Sequence, residues 1–518
     1  MAIIHQSSIS GAGTWLRERQ QRGLGTPAFL IAMVICGFAA TAPAQDYAVL
    51  PTAPSALVAA VPARSMGQSV GRGFGRQTGN SRVRFAGDVT VEPASPGSLP
   101  LGLDDAIDRG LKHNLQILLA NQTERAVQGQ ISTVFYQLLP NLKATAYTNT
   151  VEIDLAAMGF KPSSLAPGTI SNIVKVDTTS AQLSANQVVF NLPDLYLYAA
   201  AKKAEKVVAL DVLNARGGVV QAVGTQYLAT LADEAQVANH QALAMADEEV
   251  LRQATLSHDA GVGINLDVLR AKVQLQNEQQ ALVRAQNTFA KDKIALNRLI
   301  GLPADQELTL TDTVPYAELA EAPLEQVRTL AYERRKDLLV LLAELDVTER
   351  VHKAVKYERM PSLGFNGYYG VLGETRGLYH GVFTVQGVLK IPIFEESRFR
   401  GESEVITAQE IGLTHQVESL RVTIDAQIRA SRLDVKSSME LVKVARSNVD
   451  LAAQALSDTR DRFSAGIDDN LPVVQAQATL ENAQSRLIAT EFQFNQAKLM
   501  LARNIGVVET QYRQYLGR

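Results

Sequence analysis

Two spacings of apolar residues alternate along the chain. Over 266–300, Leu275, Leu282, Phe289 and Leu296 recur every seven residues. Leu480, Leu487, Phe494 and Leu501 repeat that seam over 472–504, with Ala476, Ala483, Thr490 and Ala497 beside it. A period of 3.5 predicts helices that supercoil left-handedly against neighbours, large side chains facing small ones. Between Pro361 and Pro392 the period falls to two. Leu363, Phe365, Tyr369 and Val371, then Phe383, Val385 and Leu389, alternate with Asn366, Tyr368, Thr384 and Gln386. This predicts strands over 363–371 and 379–391, turning near Gly373 and Gly377. The matching strands of the first half are 142–153 and 173–190, separated by a longer loop over 156–168. Proline is absent between Pro193 and Pro303 and between Pro392 and Pro472. Because proline breaks helix interiors, those gaps permit very long helices, read over 195–258 and 397–463.

The pattern is duplicated. Leu103, Pro140, Leu142 and Tyr147 recur 221 residues on as Leu324, Pro361, Leu363 and Tyr368. Residues 260–301 recur without a gap 205 residues on, with identities Gly261/Gly466, Asn265/Asn470, Leu282/Leu487, Phe289/Phe494, Arg298/Arg503 and Gly301/Gly506. Two coiled coils share leucines by chance, but not glycines and asparagines. Each half reads as helix (104–139 and 324–359), two strands, very long helix, tight turn and return helix (266–300 and 472–504). The organisation expected is a first repeat over 99–301, a linker over 302–325, a second repeat over 326–506 and a tail over 507–518.

Residues 1–44 read as a signal peptide: Arg17, Arg19 and Arg22 precede the apolar run 28–40, and Ala42-Pro43-Ala44 offers a small-x-small cleavage site. Cleavage there removes Cys36 and Trp15, the chain's one cysteine and one tryptophan. Ile35 before Cys36 is not small, which argues against lipidation. Residues 45–98, rich in Pro, Gly, Ser and Ala, read as a disordered linker. Elsewhere no helix is expected to cross a membrane. A net charge of −3 gives no footprint for nucleic acid, and dispersed histidines indicate no metal centre. Ser257-His258-Asp259 is contiguous, whereas a catalytic triad is spatial, and Gly71, Gly73 and Gly75 follow no strand, so neither marks an enzyme.

Strands of about ten residues match the span of a tilted transmembrane β-strand. Four strands cannot close a barrel, since about eight are needed, and open edges are not tolerated in lipid. Three copies pooling their strands would supply twelve. The alternative is a periplasmic coiled-coil scaffold with a water-bathed sheet, which has no need of aromatic strand ends. Detergent-stable trimers would favour the channel, and a soluble monomer the scaffold.

Together, Leu-Gly-Leu-Asp-Asp-Ala-Ile at 101–107, Leu-Pro-Asn-Leu at 139–142, Val-Val-Phe-Asn at 188–191, Ile-Pro-Ile-Phe at 391–394 and the twin Ala-Gly-x3-Asn-Leu-x-Val at 260–268 and 465–473 make the chain resemble the TolC-like outer membrane efflux proteins. The resemblance implies a mainly α protein that forms a homotrimer. A twelve-strand β-barrel would lie in outer membrane lipid above a twelve-helix periplasmic α-barrel, without cofactors or catalysis. It implies the exit duct of a tripartite efflux or type I secretion system, partnered by a periplasmic adaptor (membrane fusion) protein and an inner-membrane pump. It assigns adaptor contact and the periplasmic tip to Gly261, Val262, Gly263, Asn265, Asp267, Gly466 and Asn470. Family members that carry pore-lining aspartates place them where Pro472 and Gln475 stand here, so Asp468 and Asp469, with Gln475, are the expected constriction. Tripled by symmetry, these acids would form a cation-attracting ring; the alternative is a solvated acidic turn beside a helix N-terminus, where acids are favoured anyway.

Overall fold

The computed structural model describes residues 97–154, 157, 173–261, 263–313, 316–320, 322–465, 467–468 and 470–517. The signal peptide, the linker up to residue 96 and all but Ala157 of the 156–168 loop lie outside the described residues. In the first half, α1 (Leu103–His113) and α2 (Leu115–Tyr136) lead into β2 (Asn141–Asp154) and β3 (Ile173–Phe190), followed by α3 (Leu192–Asp259) and α4 (Asn265–Ile300). The second half follows the same order as α5 (Leu324–Arg334), α6 (Lys336–Tyr357), β5 (Ser362–Glu374), β6 (Tyr379–Lys390), α7 (Glu396–Ser464) and α8 (Leu471–Ile505). At ~1.5 Å per residue, α3 and α7 are each about 100 Å long.

Three differences from the sequence reading have physical causes. The helices read over 104–139 and 324–359 are each broken in two, at Asn114 (φ −70°, ψ 130°) and Arg335 (φ −64°, ψ 118°), positions 221 residues apart. One extended residue redirects the helix axis. The Asn114 side chain caps the new helix by accepting from the Gln116 N–H at 3.0 Å. Apolar spacing runs straight through both joints, so periodicity does not reveal them. Second, the 302–325 linker holds β4 (Leu308–Leu310), which pairs in parallel with β1 (Leu99–Leu101). Third, the 507–518 tail is largely helical, as α9 (Val508–Leu516).

One stretch of α3 is apolar enough, by length and composition, to cross a membrane, contrary to the reading that none is. Of that stretch 39% is buried inside the chain, and α3 places Val219, Val220, Val223, Tyr227, Leu228 and Leu231 in the central core. That core gathers β1, β4, α1, α9 and the ends of α4 and α8 around the middle of α3 and α7. The Tyr227 hydroxyl sits between Leu101 O (3.0 Å) and Asp312 Oδ2 (2.8 Å), and Asp312 Oδ2 also accepts the Leu103 N–H at 2.8 Å. Glycines in the left-handed conformation close α4, α8 and α9. Gly506 (φ 87°) ends α8, and a Cβ there would come within 2.8 Å of the Arg334–Arg335 backbone. A second core, with Val127, Val207, Val351 and Ile406, lies between α2, α3, α6 and α7, and a small third one, Val250, Ala254 and Ala271, near the far end of α3.

Candidate functional site

The four long strands form one antiparallel sheet in the order β2–β3–β5–β6. Register decides its chemistry, because directly opposed residues share a face. Ala144 pairs with Leu183, Leu183 with Tyr369 and Tyr369 with Phe383. Leu142 pairs with Ala185, Ala185 with Gly367 and Gly367 with Val385. That face is apolar across all four strands, and Leu142, Leu183, Tyr369, Phe383 and Val385 are each more than half exposed. The opposite face carries Lys143–Ser184–Tyr368–Thr384 and Asn141–Asn186–Asn366–Gln386. Among the described residues, β2 and β6 each have one unpaired edge.

Below the strands, exposed Tyr136, Phe190 and Phe394 are followed by a belt of charge. The Arg398 guanidinium bonds Glu395 (2.7 Å), Glu358 (2.8 Å) and Glu402 (3.0 Å), while Arg359 bonds Glu396 (3.0 Å). Aromatic residues followed by charge match the passage from hydrocarbon to headgroup and water.

At the other end, α3 and α4 meet in a tight turn. The Gly261 N–H donates to His258 O (2.9 Å) with φ 74°, a left-handed conformation that favours glycine. The Gly263 N–H folds back to Ser257 O (2.9 Å), so closely that a Cβ at Gly263 would lie 3.1 Å from His258 N. Asn265, exposed, opens α4, and buried Asp267 lies 3.5 Å from the Arg270 guanidinium. In the second turn Asn470 is fully buried, its amide 3.5 Å from Asp267 O. The structure thus brings Asp267 and Asn470 together. Gln475 is exposed on α8. Val262, Gly466 and Asp469 lie outside the described residues.

Asp468 lies in an ion pair within its own chain. Arg462 donates to both its oxygens, Nε at 2.6 Å and Nη2 at 3.3 Å, and these bonds hold the carboxyl below its ordinary range. A carboxylate carrying its own guanidinium forms a pair with no net charge. The sequence reading missed Arg462. It also missed the groove of about 370 Å³ near the tip, lined by Leu266, Leu269, Val273 and Val474. The signal for the groove was present: Leu266, Leu269 and Val273 fall off the Leu275–Leu282 seam.

An amphipathic sheet with open edges, mounted on duplicated coiled coils about 100 Å long, defines a class of outer-membrane duct. The sequence profile of the outer membrane efflux proteins matches residues 106–302 and 327–507, well over half of the chain. The chain belongs to that family, whose members are non-enzymatic channels of the outer membrane that extend into the periplasm. It is 22% identical over 428 residues to the pyoverdine export outer membrane protein OpmQ of Pseudomonas aeruginosa, covering 80% of this chain and 87% of OpmQ. It is 23% identical over 271 residues to the alkaline protease secretion protein AprF of the same organism, covering 48% of this chain and 53% of AprF, about half of that relative's length. Among solved structures it is similar to the Campylobacter jejuni CmeC channel (TM-score 0.68, 14% identity, 78% of this chain and 86% of that one). It is similar also to the open Neisseria gonorrhoeae MtrE channel (TM-score 0.66, 16% identity, 82% and 96%). At such identities these likenesses show the fold.

Proposed function

We propose that three copies of the chain join into a passive exit duct for efflux or secretion. The observation that carries this is the two-faced sheet. An apolar face and a polar face, with one free edge on each side, is one third of a closed twelve-strand barrel. Closure satisfies the edges of β2 and β6, turns Leu183, Tyr369 and Val385 to lipid, and lines the lumen with Asn186, Asn366 and Gln386. Exposed apolar residues on α7, among them Ile411, Val422, Leu433 and Val444 at an interval of eleven, fit burial by neighbouring copies in a twelve-helix barrel. The two halves, 99–301 and 326–506, then alternate around one axis, belted by 302–325 and α9.

Transport in such a duct needs no catalytic group. Water fills a continuous path, and an inner-membrane pump supplies energy through a periplasmic adaptor. The tip turns at Gly261–Asp267 and Gly466–Asn470 are the proposed entrance and adaptor contact, with Asp469 and Gln475 as the polar constriction. The protein purified from outer membranes is expected to migrate as a heat-sensitive trimer in detergent gels and to conduct ions in planar bilayers. A non-conducting monomer, soluble without detergent, would point to the scaffold.

The Arg462–Asp468 pair predicts an asymmetry in selectivity. Asp468→Asn is expected to leave cation selectivity in planar bilayers nearly unchanged. Arg462→Ala, which frees the carboxylate, is expected to raise it. Equal losses in both variants would contradict a neutral pair.

A further inference from the structure

Between the two halves, three ligand-type side chains from three helices converge, Glu278 buried and the other two partly so. His240 on α3, Glu278 on α4 and Glu481 on α8 each offer one donor atom, all within 4.8 Å of one another. His240 Nδ1 is 2.6 Å from Glu278 Oε1, and the Glu278 side chain is only 2% exposed. At the 205-residue offset the second repeat carries Ala445 and Ala483 where the first has His240 and Glu278, and both alanines are buried. An apolar seam therefore suffices at this level of the coiled coil, and a buried acidic cluster is the costlier choice.

Asp247, two turns after His240 on α3, is pushed up to about 6 by burial and then by Glu278, with Gln274 hydrogen-bonded to it and Arg460 as the cation acting on it. A second, separate feature marks the same seam. Gln477 and Gln484 flank Glu481 by one turn on its own face of α8. Gln477 is 3% exposed with neither amide atom hydrogen-bonded, and the buried Gln484 Oε1 is likewise unpartnered. Unsatisfied buried amides call for a missing partner such as an ion or the water it carries.

We propose that His240, Glu278 and Glu481 bind one divalent transition-metal ion of the zinc class, tying the first repeat's α3–α4 pair to α8 of the second. One imidazole and two carboxylates suit zinc better than calcium or magnesium, which take six or more oxygens or keep their waters. Two donors on a tetrahedral zinc stand about 3.4 Å apart. The His240–Glu278 contact therefore opens by less than about 1 Å, within rotamer adjustment. The ion cancels two carboxylate charges, and its fourth position takes a water that Gln477 or Gln484 can hold. All three ligands belong to one chain, so binding does not depend on the trimeric reading, and the two stand or fall separately.

The test uses tag-free, full-length protein in detergent, stripped with chelator and titrated with zinc chloride alone. One zinc per chain is expected, with a rise in the melting temperature of the helical part. His240→Gln and Glu481→Gln are each expected to weaken binding roughly tenfold or more and to remove the thermal shift. Cobalt(II) should give the visible absorption of a four-coordinate nitrogen–oxygen site. Failure of the folded wild-type protein to bind stoichiometric zinc overturns the site, as does unchanged affinity in both variants. If a variant does not fold, the wild-type cobalt spectrum decides, and a spectrum without nitrogen coordination overturns it.

Discussion

Val385→Arg is expected to abolish assembly into the outer membrane, whereas Gln386→Arg, one residue along, is expected to leave it almost intact. Val385 stands on the apolar face of the sheet, opposite Gly367, and is 68% exposed in the isolated chain. Gln386 stands opposite Asn366 on the polar face. An arginine held at the bilayer midplane costs about 2–4 kcal/mol, and the proposed trimer would meet that cost three times, roughly 6–12 kcal/mol per assembly. On the lumen face the guanidinium stays in water, and the same substitution costs little. Membrane fractionation and the heat-sensitive trimer band read both outcomes. Two arginines of equal effect would mean that water bathes both faces, as in a scaffold.

Arg335→Ala is expected to cost about 3–5 kcal/mol in the stability of the helical part, near the upper end for a single substitution. Arg335 is 6% exposed at the joint between α5 and α6. Its guanidinium donates to both Asp337 oxygens, at 3.0 and 2.6 Å, and to Gln427 Oε1 on α7 at 2.6 Å. It therefore fixes the break that redirects α6 and ties that break to α7. Removing it leaves Asp337 without the fork. Arg335→Lys keeps the charge but loses the two-point geometry, and should recover only part of the loss. Unfolding followed by circular dichroism measures each variant.

The same pair sets an acid limit. Burial pushes the Asp337 carboxyl up, but the hydrogen bonds and charge of Arg335, with the Leu338 N–H and the Arg503 charge, more than offset this and hold it below its ordinary value. The wild-type pair therefore contributes fully above the unfolded carboxyl's value of about 3.9, and its contribution fades as pH falls through the lower folded value. In Arg335→Ala, burial is opposed only by the Leu338 N–H and the Arg503 charge, so acid destabilisation should set in at higher pH.

The duplication, both hairpins and the four long helices were legible because they rest on local rules: apolar period, proline spacing and glycine turns. The broken helices were not, since Asn114 and Arg335 interrupt the backbone without interrupting the apolar pattern. The tip was partly legible. Gly261 and Gly263 shape the turn through their own backbone, but Asp468 became half of an ion pair because α7 ends with Arg462 within its reach. The buried His240–Glu278–Glu481 cluster was illegible for the same reason, its members being separated by 38 residues or more along the chain.

By itself the order of residues determined which segments are helix or strand, that the unit occurs twice, and that one copy holds too few strands to seal a barrel. These follow from periodicity and chain geometry, which act over a few residues at a time. Only the folded chain decided which strand faces align into one apolar and one polar surface, which carboxylates keep their charge, and where the two halves lock. Register, burial and ion pairing depend on groups brought together from distant parts of the chain, and no spacing within a single segment encodes them.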